Sequence, residues 1–219
     1  MNRKEIKARA KKFAFSNKWN IWKPMLVVAL IVGLAGGILG AFGLGPEITT
    51  TAEGVTTTTY SSSGAAFISS LLEVLLIPLT VGETYYIINL VRGKKLEIKE
   101  IFSKYKLILP IFVITLLVGL FTTLWTLLFI IPGIIYGFKV AMVPNLLADE
   151  LTNETGYMEL INRSKKLMDG HKWEYFIFNL SFIGWDLLVI ITLGIAAIWV
   201  VPYETTAKIM YYDELKKLN

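Results

Sequence analysis

No cysteine occurs anywhere in the 219 residues. Disulfides, thiolate metal sites and cysteine nucleophiles are therefore excluded. Histidine is almost as scarce. His171 stands alone, so no metal site that needs two imidazoles can be built. Neither a metal nor any other cofactor is expected. Charge is missing from long stretches. Residues 24–44 carry none, and the 42 residues from Leu107 to Ala148 carry only Lys139. Residues 45–65 hold no Lys or Arg. A soluble domain does not leave such gaps, because its surface needs charge to stay in water.

What fills the gaps is apolar. Hydrophobic residues make up 54% of the chain, and the mean hydropathy is +0.57. A helix crosses about 30 Å of hydrocarbon in roughly 20 residues at 1.5 Å per residue. Several runs reach that length, and two are twice as long and must turn. Ile131-Pro132-Gly133 is the break in the first, since proline removes a donor and glycine permits the turn. Thr192-Leu193-Gly194 breaks the second. The expected fold is a single all-α integral membrane domain over residues 1–219. Its six transmembrane helices lie at 24–44, 66–90, 107–130, 133–148, 173–191 and 195–213. Two amphipathic segments, 1–23 and 149–172, are expected to lie on the membrane surface. In the first, Ile6, Ala10 and Phe13 recur at helical spacing among the charges. Residues 45–65, rich in Thr and Ser, read as a mobile outer loop that buries too little to fold alone.

The charges give the orientation. Residues 1–23 hold eight Lys or Arg, residues 92–106 six, residues 149–172 four, and the C-terminal stretch three, Lys208, Lys216 and Lys217. All 21 fall on one side if there are six spans, and Lys139 alone remains inside one. Positive residues are retained in the cytoplasm, so both termini are expected inside. The net charge of +5 then reflects topology rather than nucleic-acid binding. A cleaved signal peptide fits less well, because the basic region is long and the first apolar run is of spanning length.

Gly33, Gly36, Gly37 and Gly40 form two overlapping small-xxx-small pairs in the first span. Small residues let helices approach closely in lipid. Packing against the chain's own helices is favoured over a homodimer seam. Four ionisable residues, Glu73, Lys139, Asp186 and Glu204, fall roughly 8–13 Å below the outer ends of four spans by helix rise. Isolated charge at that depth is costly. Lys139 is therefore expected to pair with Asp186 or Glu204, and Glu83 to snorkel nearer the inner surface.

The second half carries a recognisable string. It includes Pro132-Gly133-Ile134, Arg163-Ser164, Met168, Gly170-His171-Lys172-Trp173, Leu180 to Gly184-Trp185, Thr192 to Ile195, Pro202-Tyr203 and Tyr212. Together these resemble the bacterial membrane family catalogued as domain of unknown function 975, closely over about residues 127–215 and by layout before that. The terminal YYDE departs from the YE usual in that family. The resemblance implies a multi-pass protein of a bacterial cytoplasmic membrane. It implies no reaction.

Enzyme signatures fail on spacing. Asp186 and Asp213 would lie roughly 20 Å apart on parallel helices, too far to share a proton as paired aspartates do. Ser181 and His171 sit ten residues apart on one helix, out of reach of a nucleophile–base bond. His171 reads as an interfacial anchor beside Lys172 and Trp173. Asn153-Glu154-Thr155 matches a glycosylation triplet on the inner side, where it carries no meaning. The favoured expectation is a non-enzymatic membrane protein that acts through protein or lipid contacts, in envelope homeostasis or an immunity-like role. Its partners would be membrane lipids with anionic headgroups at the inner face, another membrane protein, or a second copy of the chain. The alternative is a small proton- or ion-coupled transporter that uses the charge layer. A lipid-modifying enzyme comes third.

Overall fold

The computed structural model describes residues 2–50 and 56–218; residues 51–55 of the expected outer loop lie outside it, as do the two terminal residues. The chain is all-α apart from one short ribbon. Among the described residues five segments are long and apolar enough to cross a membrane: Arg3–Ala41, Ser63–Val91, Ile98–Leu128, Ile130–Asp149 and Lys172–Ile191. Only 11% of the most apolar stretch of the first and of the last is buried inside the molecule. In water that exposure would form an apolar patch far beyond what monomers tolerate. Lipid is the solvent these surfaces fit.

Helix α1, Arg3–Ala41, begins at Asn2, whose side chain accepts from the Glu5 amide. Asn17 leaves the helical region at φ −115°, ψ 17°, so a basic arm and an apolar shaft meet at a kink. The arm corrects one expectation. Ile6, Ala10 and Ala14 are buried in the molecule, not laid on a lipid surface. The arm packs on α9, Ala197–Leu218, the helix against which α1 makes its most extensive contact, with Arg9 paired to Glu214.

After α1, strands β1 (Glu47–Thr50) and β2 (Thr56–Thr59) pair antiparallel, with Glu47 opposite Thr59. The ribbon replaces part of the loop expected over residues 45–65. A run of β-branched threonines suits a pleated strand even where it buries little. Helix α2 (Ser63–Val91) returns, and Ser69 donates to the Leu44 carbonyl at 2.8 Å. A 3₁₀ segment, Ile98–Leu107, then folds against α2. The two come so close that a Cβ on Gly82 would sit 1.7 Å from the Ile101 carbonyl oxygen.

Helices α3 (Ile108–Leu128) and α4 (Ile130–Lys139) form a hairpin. It turns at Phe129, which is extended at φ −156°, ψ 129°, not at Ile131-Pro132-Gly133. Pro132 sits instead in the first turn of α4, where its missing donor leaves no helical bond unmade. Gly133 is the contact point, since a Cβ there would lie 2.6 Å from the Thr126 Cα.

The remaining elements are α5 (Val143–Asp149), α6 (Tyr157–Leu167), α7 (Lys172–Leu180), α8 (Ile183–Ile191) and α9. Two expected continuous spans are thus interrupted, at residues 140–142 and 181–182. The turn between α8 and α9 has Leu193 at φ 49° and Gly194 at φ 90°, as the Thr192-Leu193-Gly194 break anticipates. Helix α9 is not one of the five apolar segments. It buries a stripe that includes Val200, Tyr203, Ala207, Tyr211 and Leu215, and it pairs its Glu204 with Lys208 at 2.6 Å.

Candidate functional site at the basic end

Charged side chains from distant parts of the chain converge where α2, α5, α6 and α9 meet. Arg92 caps the C-terminus of α2, a position that suits a cation. Asp149 ends α5, where a carboxylate faces the negative end of its own helix and needs external cations. Arg92 supplies one. Its guanidinium grips Asp149 with two bonds, 2.6 and 2.9 Å, and reaches Asp213 on α9 at 2.6 Å. Such a fork is the strong form of a charged hydrogen bond. Asp149 also accepts from the Tyr212 hydroxyl at 3.0 Å and from Lys216 at 2.8 Å. Lys216 pairs with Glu150 at 2.6 Å, and Glu150 with Arg163 of α6 at 2.8 Å.

Three cations meet three carboxylates, so the network is neutral overall. Its groups hold their protons accordingly. The bond from Asp149 pushes the Arg92 guanidinium further above its usual range, against burial and with help from Asp213. Burial works against the Lys216 ammonium, yet Asp149 and Glu150 outweigh it and the net shift is upward. A second, outer pair binds α1 to α9: Arg9 to Glu214 at 2.8 Å, with Lys217 on the same carboxylate at 3.0 Å.

The two helix breaks are held by side chains from elsewhere. At the first, Ser164 is fully buried. Its hydroxyl donates to the Lys139 carbonyl at 2.9 Å and accepts from the Met142 amide at 3.2 Å. It thus replaces the backbone bonds that the break removes. At the second, the Lys7 ammonium bonds the Ser181 carbonyl and hydroxyl at 3.2 and 2.9 Å and lies 4.5 Å over the Phe182 ring. Proline makes a third gap. Pro202 has no N–H to offer the Ile198 carbonyl one turn back, and the Trp22 indole donates to it at 2.9 Å.

These contacts give physical roles to the recurring motif. Arg163 and Ser164 hold α6 to Glu150 and to the α4–α5 break. Gly170 adopts φ 73° in the turn before α7. His171 caps α7 beside Glu174 at 3.2 Å, and Lys172 bonds Asp169 at 3.0 Å. Trp173 is exposed and stacks on Phe176. Tyr203 is buried between Phe182 and Trp185, with ring centroids at 5.3 and 5.7 Å. Gly184 meets open space.

Two expectations need correction. A Cβ on Gly33, Gly36, Gly37 or Gly40 would meet nothing within 4 Å, so this stripe does not pack on the chain's own helices. The expected charge layer does not assemble either. Glu204 is taken by Lys208. Glu73 and Asp186 are exposed, and no ion pair forms on either among the described residues. Lys139 sits elsewhere. Phe138 packs edge-on to Tyr175 and Phe176 at 6.3 and 5.9 Å, which sets the end of α4 against the middle of α7. Asp169 feels the Lys139 charge. Lys139 therefore lies beside Lys165, near Asp169 and Lys172.

Arg92, Asp149, Glu150, Asp213 and Lys216 are not among the site residues expected from the sequence. A usable signal existed: Asp149-Glu150 follows directly on the longest apolar run, and Asp213 lies in the YYDE string. Among the described residues no three His, Asp or Glu side chains converge to hold a metal.

Residues 127–219 match the family model described as Protein of unknown function (DUF975), the family that the motif string resembles. No curated protein and no solved structure matches the chain.

Proposed function

We propose that the chain is a non-enzymatic multi-pass protein of a bacterial cytoplasmic membrane that acts by binding lipid or another protein at its inner face, in envelope homeostasis or an immunity-like role. The topology proposed with it keeps both termini inside; α9 lies along the basic arm, from Ile198 beside Trp22 to Glu214 beside Arg9, and is not proposed as the sixth span. One observation carries the proposal. The charges of the basic end are spent on one another, in a neutral network that ties together α2, α5, α6 and α9, while cationic side chains remain around it on the surface. Such an arrangement builds a rigid basic platform suited to anionic headgroups. Orientation is tested by single-cysteine labelling in a chain that has no native cysteine. Ser61→Cys should react with an impermeant maleimide in intact cells, and Lys94→Cys and Lys217→Cys only after lysis. Labelling of Lys217→Cys in intact cells would place the C-terminus outside and overturn this topology.

The transporter reading keeps one structural argument: helices interrupted at 140–142 and 181–182, since broken helices line solute sites in transporters. Purified protein in proteoliposomes carrying an internal pH dye separates the two readings. The proposal expects no proton flux above that of empty vesicles under an imposed gradient, and a flux abolished by Glu83→Gln would establish the alternative.

A further inference from the structure

Beside the α3–α4 hairpin lies a cavity of about 330 Å³ lined by Trp125, Pro132, Ile135, Tyr136, Lys139 and Lys165. Its composition is divided. Trp125, Pro132 and Ile135 belong to the apolar segments, and Trp125 and Ile135 are open to the surroundings. Lys139 and Lys165 bring two ammonium groups to the other side. Neither is ion-paired with a carboxylate among the described residues; Asp169, which feels Lys139, is itself bonded to Lys172. Tyr136 lies between the two halves. It is 7% exposed, stacks on Trp125 at 6.4 Å and carries Lys165 5.5 Å over its ring. Its hydroxyl is buried and has no hydrogen-bond partner among the described residues. A buried hydroxyl without a partner costs free energy, and this one belongs to a residue that lines a cavity beside two lysines which no carboxylate ion-pairs among the described residues.

We propose that this cavity binds the phosphate of one anionic glycerophospholipid, held by Lys139, Lys165 and the Tyr136 hydroxyl, with an acyl chain along Trp125, Pro132 and Ile135. The inference rests on the lipid-binding reading above and gives it a place. The charge supports an anion, and the walls decide which one. A soluble phosphate gains nothing from Trp125 and Ile135, which face the hydrocarbon. A lipid reaches both halves at once. A zwitterionic headgroup presents the same phosphate but brings its own cation toward two lysines, so phosphatidylglycerol should bind in preference to phosphatidylcholine. The membrane interface is also where a headgroup belongs. Lysine stems lie along apolar surface while their charges reach the interface, and Lys139 and Lys165 arrive there from two different helices, α4 and α6.

Native mass spectrometry of the full chain, released from micelles that contain equal amounts of phosphatidylglycerol and phosphatidylcholine, reads this directly. One phosphatidylglycerol is expected to stay bound under activation that strips phosphatidylcholine. Each lysine near anionic lipid contributes enough that losing both should weaken binding about thirtyfold, so Lys139→Gln/Lys165→Gln should lose the retained lipid. Lys139→Arg/Lys165→Arg should keep it. Tyr136→Phe, which removes one oxygen and leaves the fold's apolar contacts, should weaken it severalfold. Lys94→Gln/Lys95→Gln, away from the cavity, should retain it. A wild-type chain without preference for phosphatidylglycerol would overturn both the site and the lipid reading. A preference that survives in Lys139→Gln/Lys165→Gln and in Tyr136→Phe would overturn the site alone. Displacement of the lipid by inorganic phosphate would also overturn it, because the acyl chain would then contribute nothing.

Discussion

The basic end and the apolar end of this molecule are built on opposite plans. At the basic end the last turns of α2 bury Tyr86, Ile87, Ile88 and Asn89, and the last turns of α9 bury Tyr211, Tyr212 and Leu215. Gly82 touches backbone, and Arg92, Asp149 and Lys216 complete one another's hydrogen bonds. At the apolar end Phe42, Leu127 and Ile191 project outward, Leu193 is 94% exposed, and four glycines of α1 face empty space. The difference shows where the fold is specified. Lipid tails are as apolar as leucine, so apolar residues gain nothing by leaving them for one another. Close packing and polar bonds must therefore hold the helices together, and here they concentrate at one end.

That contrast can be broken most sharply with two glycines. Gly82→Ala places a methyl group 1.7 Å from the Ile101 carbonyl oxygen and forces the 3₁₀ segment off α2. Overpacking against backbone reaches the top of the usual range, about 3 kcal/mol. Gly37→Ala meets nothing and, in a helix, replaces the poorer former with the better one. Thermal melting of the purified protein should show a large loss for the first and none for the second. A comparable loss for Gly37→Ala would mean that the stripe packs on a second copy or another protein.

The ion network comes next. Asp149→Asn keeps the size but removes the charge that Arg92 and Lys216 share. Stranding buried cations costs about 3–5 kcal/mol; Arg92 and Lys216 are 29% and 28% exposed, so about 2 kcal/mol is expected. Arg92→Met alone should cost a similar amount, and the Asp149→Asn/Arg92→Met pair should cost less than the sum. Melting curves of the three variants would show strict additivity if the two residues did not act together.

How much of this was legible without coordinates follows from the same contrast. The apolar end writes itself into local sequence: run length gives Ser63–Val91 and Ile108–Leu128 within a few residues, and Leu193-Gly194 marks its own turn. The basic end does not. Arg92, Asp149 and Asp213 are separated by 57 and 121 positions in their pairings, and no periodicity announces such a meeting. The interruption at 140–142 carries neither glycine nor proline; Ser164, more than twenty residues later, makes it tolerable. A glycine stripe tells how closely a partner could approach, and nothing about whether one does.

A smaller effect is expected where the two plans meet, at Trp22 and Pro202. Trp22→Phe leaves the Ile198 carbonyl without its donor, at a cost of about 1 kcal/mol. Pro202→Ala supplies an amide that can take the same carbonyl. Trp22→Phe should then cost less in the Pro202→Ala background, and an equal cost in both backgrounds would show that the indole acts through its ring alone.

The smallest effect lies in the pair that ties α1 to α9. Arg9, then Lys217, hold the Glu214 carboxyl below its ordinary value. Its folded pKa is thus lower than its unfolded one. The stabilisation is fully present above the unfolded value, about 4.3, and is lost as pH falls through the folded value. Arg9 is 47% exposed and Glu214 24%, so solvent screens the pair and only about 0.5 kcal/mol is expected. Glu214→Gln should melt slightly below the wild type at pH 7, and the gap should close as the pH drops below 4. Other carboxylates titrate in that range too, but they do so in both proteins, so the difference isolates Glu214. Salt should narrow the gap at pH 7, because exposed charges are screened within about 10 Å at 0.1 M. A gap that is unchanged at low pH and high salt would show that Glu214 holds α1 by packing or a neutral hydrogen bond, and the basic arm would then be anchored by Ile6, Ala10 and Ala14 without help from charge.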